Sequence, residues 1–258
     1  MDGKIINTFF ETYYPLELAY EWDNVGLQIG SLNRPVNAVM IALDLTKEVL
    51  EEALIKDANL IITHHPFIFN PLTQIDMDTY QGNLINQLIK NDITVYATHT
   101  NYDLGHTGMN KVLADLLGLK NQDHLEMVTE THGLGRIGTI SPQPLDTVVT
   151  MIKSRLAIND ARLITKNAKK TVQTIALLGG SGANQIDNLK AKNIDLFLTG
   201  DIGYHQAQTM LQNGLATLDI GHYAEHHFAK ALKHELLDFG VDVPIYTSEI
   251  NLNPFKLV

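Results

Sequence analysis

The sequence contains no cysteine. No disulfide can form, and neither a thiolate nucleophile nor a thiolate metal site is available. The absence fits a reducing compartment. There is no excess of positive charge either. Lys and Arg number 19 against 29 Asp and Glu, for a formal net charge of −10. That balance argues against a general nucleic-acid binder, which carries a basic face. It still permits a small anionic substrate at a local positive site. Long apolar runs are missing as well. The longest, Ala38 to Leu43, falls far short of a membrane span. Met1 to Tyr14 carries Asp2 and Glu11 and lacks an apolar stretch before a small-residue cleavage site, so no signal peptide is expected. The expected location is the cytoplasm. There is no low-complexity segment and no solenoid-type repeat.

What is present reads as an ordinary globular chain. It has 258 residues, 45% apolar and 19% charged, enough for one large domain or two smaller ones. Lys4 to Tyr14 puts Ile5, Ile6, Phe9, Phe10 and Tyr13 on one helical face. Pro15 ends that helix and opens a short second one through Tyr20. Glu21-Trp22-Asp23-Asn24 reads as a turn before a strand in which Val25, Leu27 and Ile29 alternate, and Trp22 is the only tryptophan. Val36 to Leu43 is a stronger strand ending at Asp44. Thr46 is placed to cap the helix that follows. Leu60 to Thr63 is a short apolar strand, and a helix with Leu84, Ile85, Leu88 and Ile89 inward comes after it. Ile93 to Thr98 is the next strand, and Met109 to Leu117 is a helix stopped by Gly118. This order implies parallel crossover units.

The pattern weakens from Asp123 to Ile140, where Gly133, Gly135 and Gly138 suggest turns or an antiparallel strand. A domain boundary is placed there. Pro144 opens a helix, and Arg162–Thr165 and Val172–Leu178 read as strands. Gly179-Gly180-Ser181-Gly182 leads into a helix through Lys192. Ile194–Leu198 and Leu215–Ile220 are strands, Ala224 to Phe239 a helix, and Val243–Tyr246 a last strand. The resulting division assigns 1–124 with 220–258 to a first α/β domain and 125–219 to a second.

The chemistry gathers where strands stop. Asp44, His64 with His65, His99 with Asp103, Asp201, and His222 with Glu225 each follow a strand. Open α/β sheets bind ligands at that carboxyl edge. Neighbouring strand residues point to opposite faces, so His64 and His65 can serve one site only if the chain leaves the sheet, and Pro66 gives it a reason to. Two solvated loop histidines would look the same in sequence. His222 and Glu225 stand three apart, on one side of a helical first turn. Imidazoles with carboxylates make a mixed N/O site suited to zinc, manganese, iron, cobalt or nickel. His64, His65, Asp103, His222 and Glu225, with His99 as a sixth donor or a ligand-orienting group, are too many for one four-coordinate zinc. Two bridged divalent ions match the number better, and their surplus charge favours an anionic substrate. Asp201 and His205, four apart, are read either as acid and base at the metal or as a structural pair. Asp44 is also placed to cap a helix. The glycine run lacks a Walker-type lysine, so close packing is the better reading of it. His106, His124 and His132 sit in expected loops with no role, and His226, His227 and His234 are expected to be solvated. A His64→Ala change is expected to lose metal and leave the fold intact, because a strand end lies outside the core.

These motifs together resemble the GTP cyclohydrolase 1 type 2 homologue family, also called NGG-interacting-factor-three-like proteins. The resemblance runs through Glu21-Trp22-Asp23-Asn24-Val25-Gly26-Leu27, Thr63-His64-His65-Pro66 and His99-Thr100-Asn101-Tyr102-Asp103. It continues through Gly180-Ser181-Gly182, Thr199-Gly200-Asp201-Ile202 with His205, and Gly221-His222-Tyr223 with Glu225. It implies two α/β domains with mixed sheets flanked by helices, the C-terminal helix returning to the first domain, and a metal site at strand carboxyl ends between them. It implies two divalent ions per chain on His64, His65, Asp103, His222 and Glu225, and a toroidal homohexamer. In part of the family the acid comes four residues after the histidine. Position 226 is His226 here, so Glu225 is taken. Some members carry an inserted domain, and this chain looks like the short form. The activity implied is that of a metal-dependent hydrolase of a nucleotide or other phosphorylated compound, with His99, Asp201 and His205 near the chemistry. The alternative is a non-catalytic metal-handling protein or a ring-shaped scaffold.

Overall fold

A computed structural model describes residues 1–190 and 192–256. In chain order the first elements are α1 (Lys4–Tyr13), β1 (Gly26–Ile29), β2 (Val39–Ala42), α2 (Lys47–Ile55), β3 (Leu60–Thr63), α3 (Tyr80–Lys90), β4 (Thr94–Ala97) and α4 (Thr100–Leu104). Next come α5 (Met109–Leu116), β5 (Lys120–Met127), β6 (Gly133–Pro144), α6 (Leu145–Arg155), β7 (Arg162–Ile164), β8 (Thr171–Ser181) and α7 (Ile186–Lys190). The chain closes with β9 (Leu196–Gly200), α8 (Tyr204–Gln212), β10 (Thr217–Asp219), a 3₁₀ turn over His222–His227, α9 (Phe228–Asp238) and β11 (Ile245–Thr247). The stretch at 191 that the sequence reading includes in a helix lies outside the described residues, as do 257–258. Among the described residues no helix is long and apolar enough to cross a membrane.

The chain divides into two compact units. The first holds Met1–Gly105 and Phe228–Leu252. Its sheet has the order β1-β4-β3-β2-β11. Strands β11, β2, β3 and β4 run parallel, and β1 closes one edge antiparallel to β4. Every residue of β2, β3 and β4 is buried. Continuous apolar strands of this kind belong to parallel sheets covered on both faces. Thr46 caps α2 through the Val49 amide, as its position predicts. Met40, Val49, Leu50, Ile61, Leu84, Leu88 and Val95 form part of the core. Ile89, expected inward, is 60% exposed, because Leu84, Ile85 and Leu88 already supply the buried face of α3.

The second unit holds His106–His227 together with the described residues from Asn253 on. Its sheet has the order β5-β6-β8-β9-β10-β7. Strands β8, β9 and β10 are parallel, while β5, β6 and β7 pair antiparallel. Both sheets are therefore mixed. The units divide at 105/106 and 227/228, whereas the sequence pattern places the divisions at 124/125 and 219/220. The displacement has a physical cause. The weakly patterned stretch after Gly118 folds into the long β5–β6 hairpin, and α5 packs on β6 and β8, so residues 106–124 share the second core.

Candidate metal centre

In the first unit, parallel β2, β3 and β4 bring three polar strand ends to one edge. Thr63 ends β3, and its hydroxyl donates to the His65 carbonyl at 2.8 Å. That bond bends the chain across His64 while the His65 amide still donates to Leu43. The bend sets two consecutive imidazoles side by side, with centroids 5.1 Å apart. The chain thus turns before Pro66, under a side-chain bond that sequence periodicity does not reveal. His99 follows β4, and its ring lies 5.2 Å from that of His64 and 5.6 Å from that of His65. One donor atom each from His64, His65 and His99 falls within 4.8 Å of the other two. Asp103 sits one turn along α4, with Oδ1 3.7 Å from His64 Nε2.

Each of the three imidazoles is held by an oxygen acceptor. His64 Nδ1 donates to the Thr98 carbonyl at 2.9 Å, His65 Nδ1 to Asp44 Oδ1 at 2.7 Å, and His99 Nδ1 to Asp23 Oδ1 at 3.0 Å. A carbonyl or carboxylate can only accept, so in the neutral ring Nδ1 carries the proton and Nε2 carries the lone pair. This arrangement fixes the tautomer and orientation of metal-binding histidines. Asp44 therefore does not cap α2, since Thr46 does. Asp23 also accepts from the Thr100 amide at 3.0 Å and its hydroxyl at 2.6 Å. In the sequence Asp23 reads as part of an ordinary turn. Its only available signal was its place beside Trp22 in the Glu21–Leu27 motif.

His64 is fully buried. Its ring packs on Phe228 at 5.0 Å and Tyr102 at 6.0 Å. The expectation that His64 lies outside the core is thereby corrected, because its imidazole fills core volume as well as facing Asp103. His65 is the more accessible of the adjacent pair, with 22% of its side chain exposed.

The second unit carries the other donors. The His222–His227 turn is 3₁₀, in which residues i and i+3 eclipse. Glu225 accordingly comes beneath His222, with Oε2 3.2 Å from Nε2. His222 Nδ1 bonds Asp201 Oδ2 at 2.7 Å, the same carboxylate–imidazole arrangement as His65 with Asp44. Asp201 follows β9 in the left-handed region at φ 55°. Glu225 is only 3% exposed. Space for its carboxylate comes from the glycine run. β8 continues through Gly179 and Gly180 to Ser181, and a Cβ on either glycine would lie 2.7 Å or 3.2 Å from Glu225 Oε1. The run is a packing surface, as the missing lysine suggests.

The remaining sequence candidates are placed differently. His205 is exposed on the first turn of α8, beside Tyr204. His106 and His132 pack ring to ring at 4.5 Å, and His124 lies on β5 against Arg136. His226 stacks on Tyr223, and His227 bonds the Leu156 carbonyl at 3.0 Å, so neither is simply solvated.

The chain matches the Duf34/NIF3 (NGG1p interacting factor 3) family over residues 1–254. It belongs to that family. A Lactococcus lactis relative named GTP cyclohydrolase 1 type 2 homolog is 37% identical over 248 residues, covering 95% of each chain. A solved Staphylococcus aureus hypothetical protein superposes with a TM-score of 0.94 at 31% identity, covering 100% of this chain and 99% of that one. A Bacillus cereus protein related to NIF3 gives 0.91 at 29% identity, with the same coverage. These likenesses span the family's fold from end to end. His64, His65 and His99 of the first unit could hold a metal ion, since their donor atoms lie together and their oriented imidazoles suit one.

Proposed function

We propose that this NIF3-family protein is a dinuclear metal-dependent hydrolase acting on a nucleotide or another small phosphorylated compound. The observation that carries the reading is the shared orientation of His64, His65 and His99, each with Nδ1 committed to an oxygen, so that the lone pair of the neutral ring lies on Nε2. The ligands assigned are His64, His65, Asp103, His222 and Glu225, the set that the family resemblance implies. Divalent ions held there would lower the pKa of bound water and polarise a phosphoryl oxygen. The chain's own residues do the rest. Asp44 and Asp201 hold His65 and His222 in their ligating orientation. Asp23 does the same for His99, which is assigned to substrate or solvent at the site. His205 is assigned to proton transfer, on an exposed helix start where it can meet a leaving group. The native assembly is taken to be a homohexamer and the substrate a small anion.

The test is elemental analysis of protein purified without added metal or chelator, coupled to a hydrolase screen over nucleotides and phosphoesters. Near two metals per chain with turnover is the expected result. The His65→Ala variant should lose at least one equivalent, and it avoids the core cavity that His64→Ala creates. The His205→Ala variant should keep its metal and slow turnover. Two metals with no turnover on any substrate would move the protein to metal handling or scaffolding. Unchanged metal in His65→Ala would sink the ligand assignment.

A further inference from the structure

Trp22 is the chain's only tryptophan, and 60% of it is exposed. Its ring stacks on Tyr20, with centroids 5.7 Å apart and planes at 13°. Phe69 leans on it at 6.1 Å and 54°, and the His99 imidazole stands nearly perpendicular to it at 6.3 Å. All four residues belong to the first unit. The rings stand on tied backbone. The Tyr20 amide donates to Thr100 Oγ1 at 3.1 Å. Asp23, next to Trp22, is the acceptor that orients His99. Phe69 follows Ile68, whose amide donates to Gln28 Oε1 at 3.1 Å and whose carbonyl accepts from the Asn24 amide group. One short segment therefore holds His99 at the candidate site and presents an indole beside it.

We propose that Tyr20, Trp22 and Phe69 form a stacking platform for a flat heteroaromatic ring on the substrate of the His64–His65–His99 site. This inference rests on the hydrolase reading for its substrate and adds the part of the substrate that the metal ligands do not recognise. An occupant laid against the exposed part of the Trp22 ring would meet an aromatic surface with the His99 imidazole close by. It must be apolar on its face and polar at its edge, as a nucleobase is and an aliphatic chain is not. Aromatic side chains also give broad contact at low entropic cost, since few torsions are frozen. Stacking of a base on such a ring is worth about 5- to 150-fold in binding. Trp22 is a positioning residue here, since it touches the ring and not the bond that breaks.

The lone tryptophan is its own reporter. The whole protein is titrated with GMP, AMP and CMP, and with ribose 5-phosphate as a ring-free control, while indole emission is followed. Saturable quenching by at least one nucleotide, and none by ribose 5-phosphate, is expected. By calorimetry, Trp22→Leu should weaken that nucleotide about 5- to 150-fold, and Trp22→Phe should retain binding within a few-fold. Metal content should be the same in both variants. Equal binding of ribose 5-phosphate, no binding by any of the three nucleotides, or an affinity indifferent to Trp22→Leu would overturn the platform. Emission that changes with protein concentration and not with nucleotide would assign the rings to a contact between copies, and would overturn it too. The two readings fail separately. Ring-dependent quenching in a protein without metal removes the hydrolase and keeps the platform, and a metal-bearing protein without quenching does the reverse.

Discussion

Asp23 shows how much one carboxylate can do at the residue scale. Burial pushes its carboxyl up, but hydrogen bonds from His99 and Thr100 outweigh that and hold it at about 2, below the usual 3.8. The folded value lies below the unfolded one. Its contribution to stability is therefore complete above about pH 4 and is lost as the pH falls toward 2. The Asp23→Asn variant should be less stable than the native protein at pH 7, and the gap should close below about pH 4. Denaturant midpoints measured from pH 7 to pH 3 check this, and a gap that stays constant with pH contradicts it. Losing a carboxylate that orients a metal-site imidazole typically weakens metal binding about 10- to 100-fold. Because His99 stands outside the assigned ligands, Asp23→Asn should keep metal affinity within a few-fold in a competition titration with a chromogenic chelator, and a loss of about 10- to 100-fold would make His99 a ligand.

At the scale of elements, the decisive feature of the second unit is a strand with two consecutive glycines just before its end. Gly180 has φ 63° and a Cβ there would lie 3.2 Å from Glu225 Oε1 and 3.6 Å from His222 Nε2. Gly214 has φ 72° and nothing within 4 Å of such a Cβ. Alanine at either position suffers the left-handed backbone, at a cost of roughly 1–2 kcal/mol. Only Gly180→Ala also crowds the His222–Glu225 pair. The expected outcome is similar loss of thermal stability in both variants and loss of metal in Gly180→Ala alone. Equal metal content in the two would mean that the glycine run does not shape the donor set.

For the whole molecule, metal and assembly set the expected stability. A ligand present at a hundred times its dissociation constant stabilises the fold by about 2.7 kcal/mol. In a chain of this size each kcal/mol moves the melting temperature by about 2–4 °C. Chelator-treated protein should therefore melt several degrees lower and recover on adding back zinc or manganese. Coincident melting curves would argue that the donors hold no ion. Sedimentation equilibrium of the untreated protein is expected to give the mass of six chains, and a monomer would refute the ring.

The strands β1 to β4 and β7 to β11, most of the helices between them, and the strand ends that carry chemistry were determined by the sequence, whereas the β5–β6 hairpin and α4 were not legible in it. The legible features depend on local periodicity and on where apolar runs stop, which a linear reading detects. Family membership was legible too, because its motifs recur in order along the chain. Ile89, the domain edges and His64 were not legible, since burial depends on what packs against a residue from elsewhere. The same holds for Asp44 with His65 and Asp23 with His99, partners 21 and 76 residues apart. The tertiary structure decided those pairings. It also decided that Thr63 bends the chain so that two neighbouring histidines face one way, and that two glycines make room for Glu225. Parallel strand pairing sets distant segments side by side, and only that juxtaposition turns strand-end residues into an oriented set of donors.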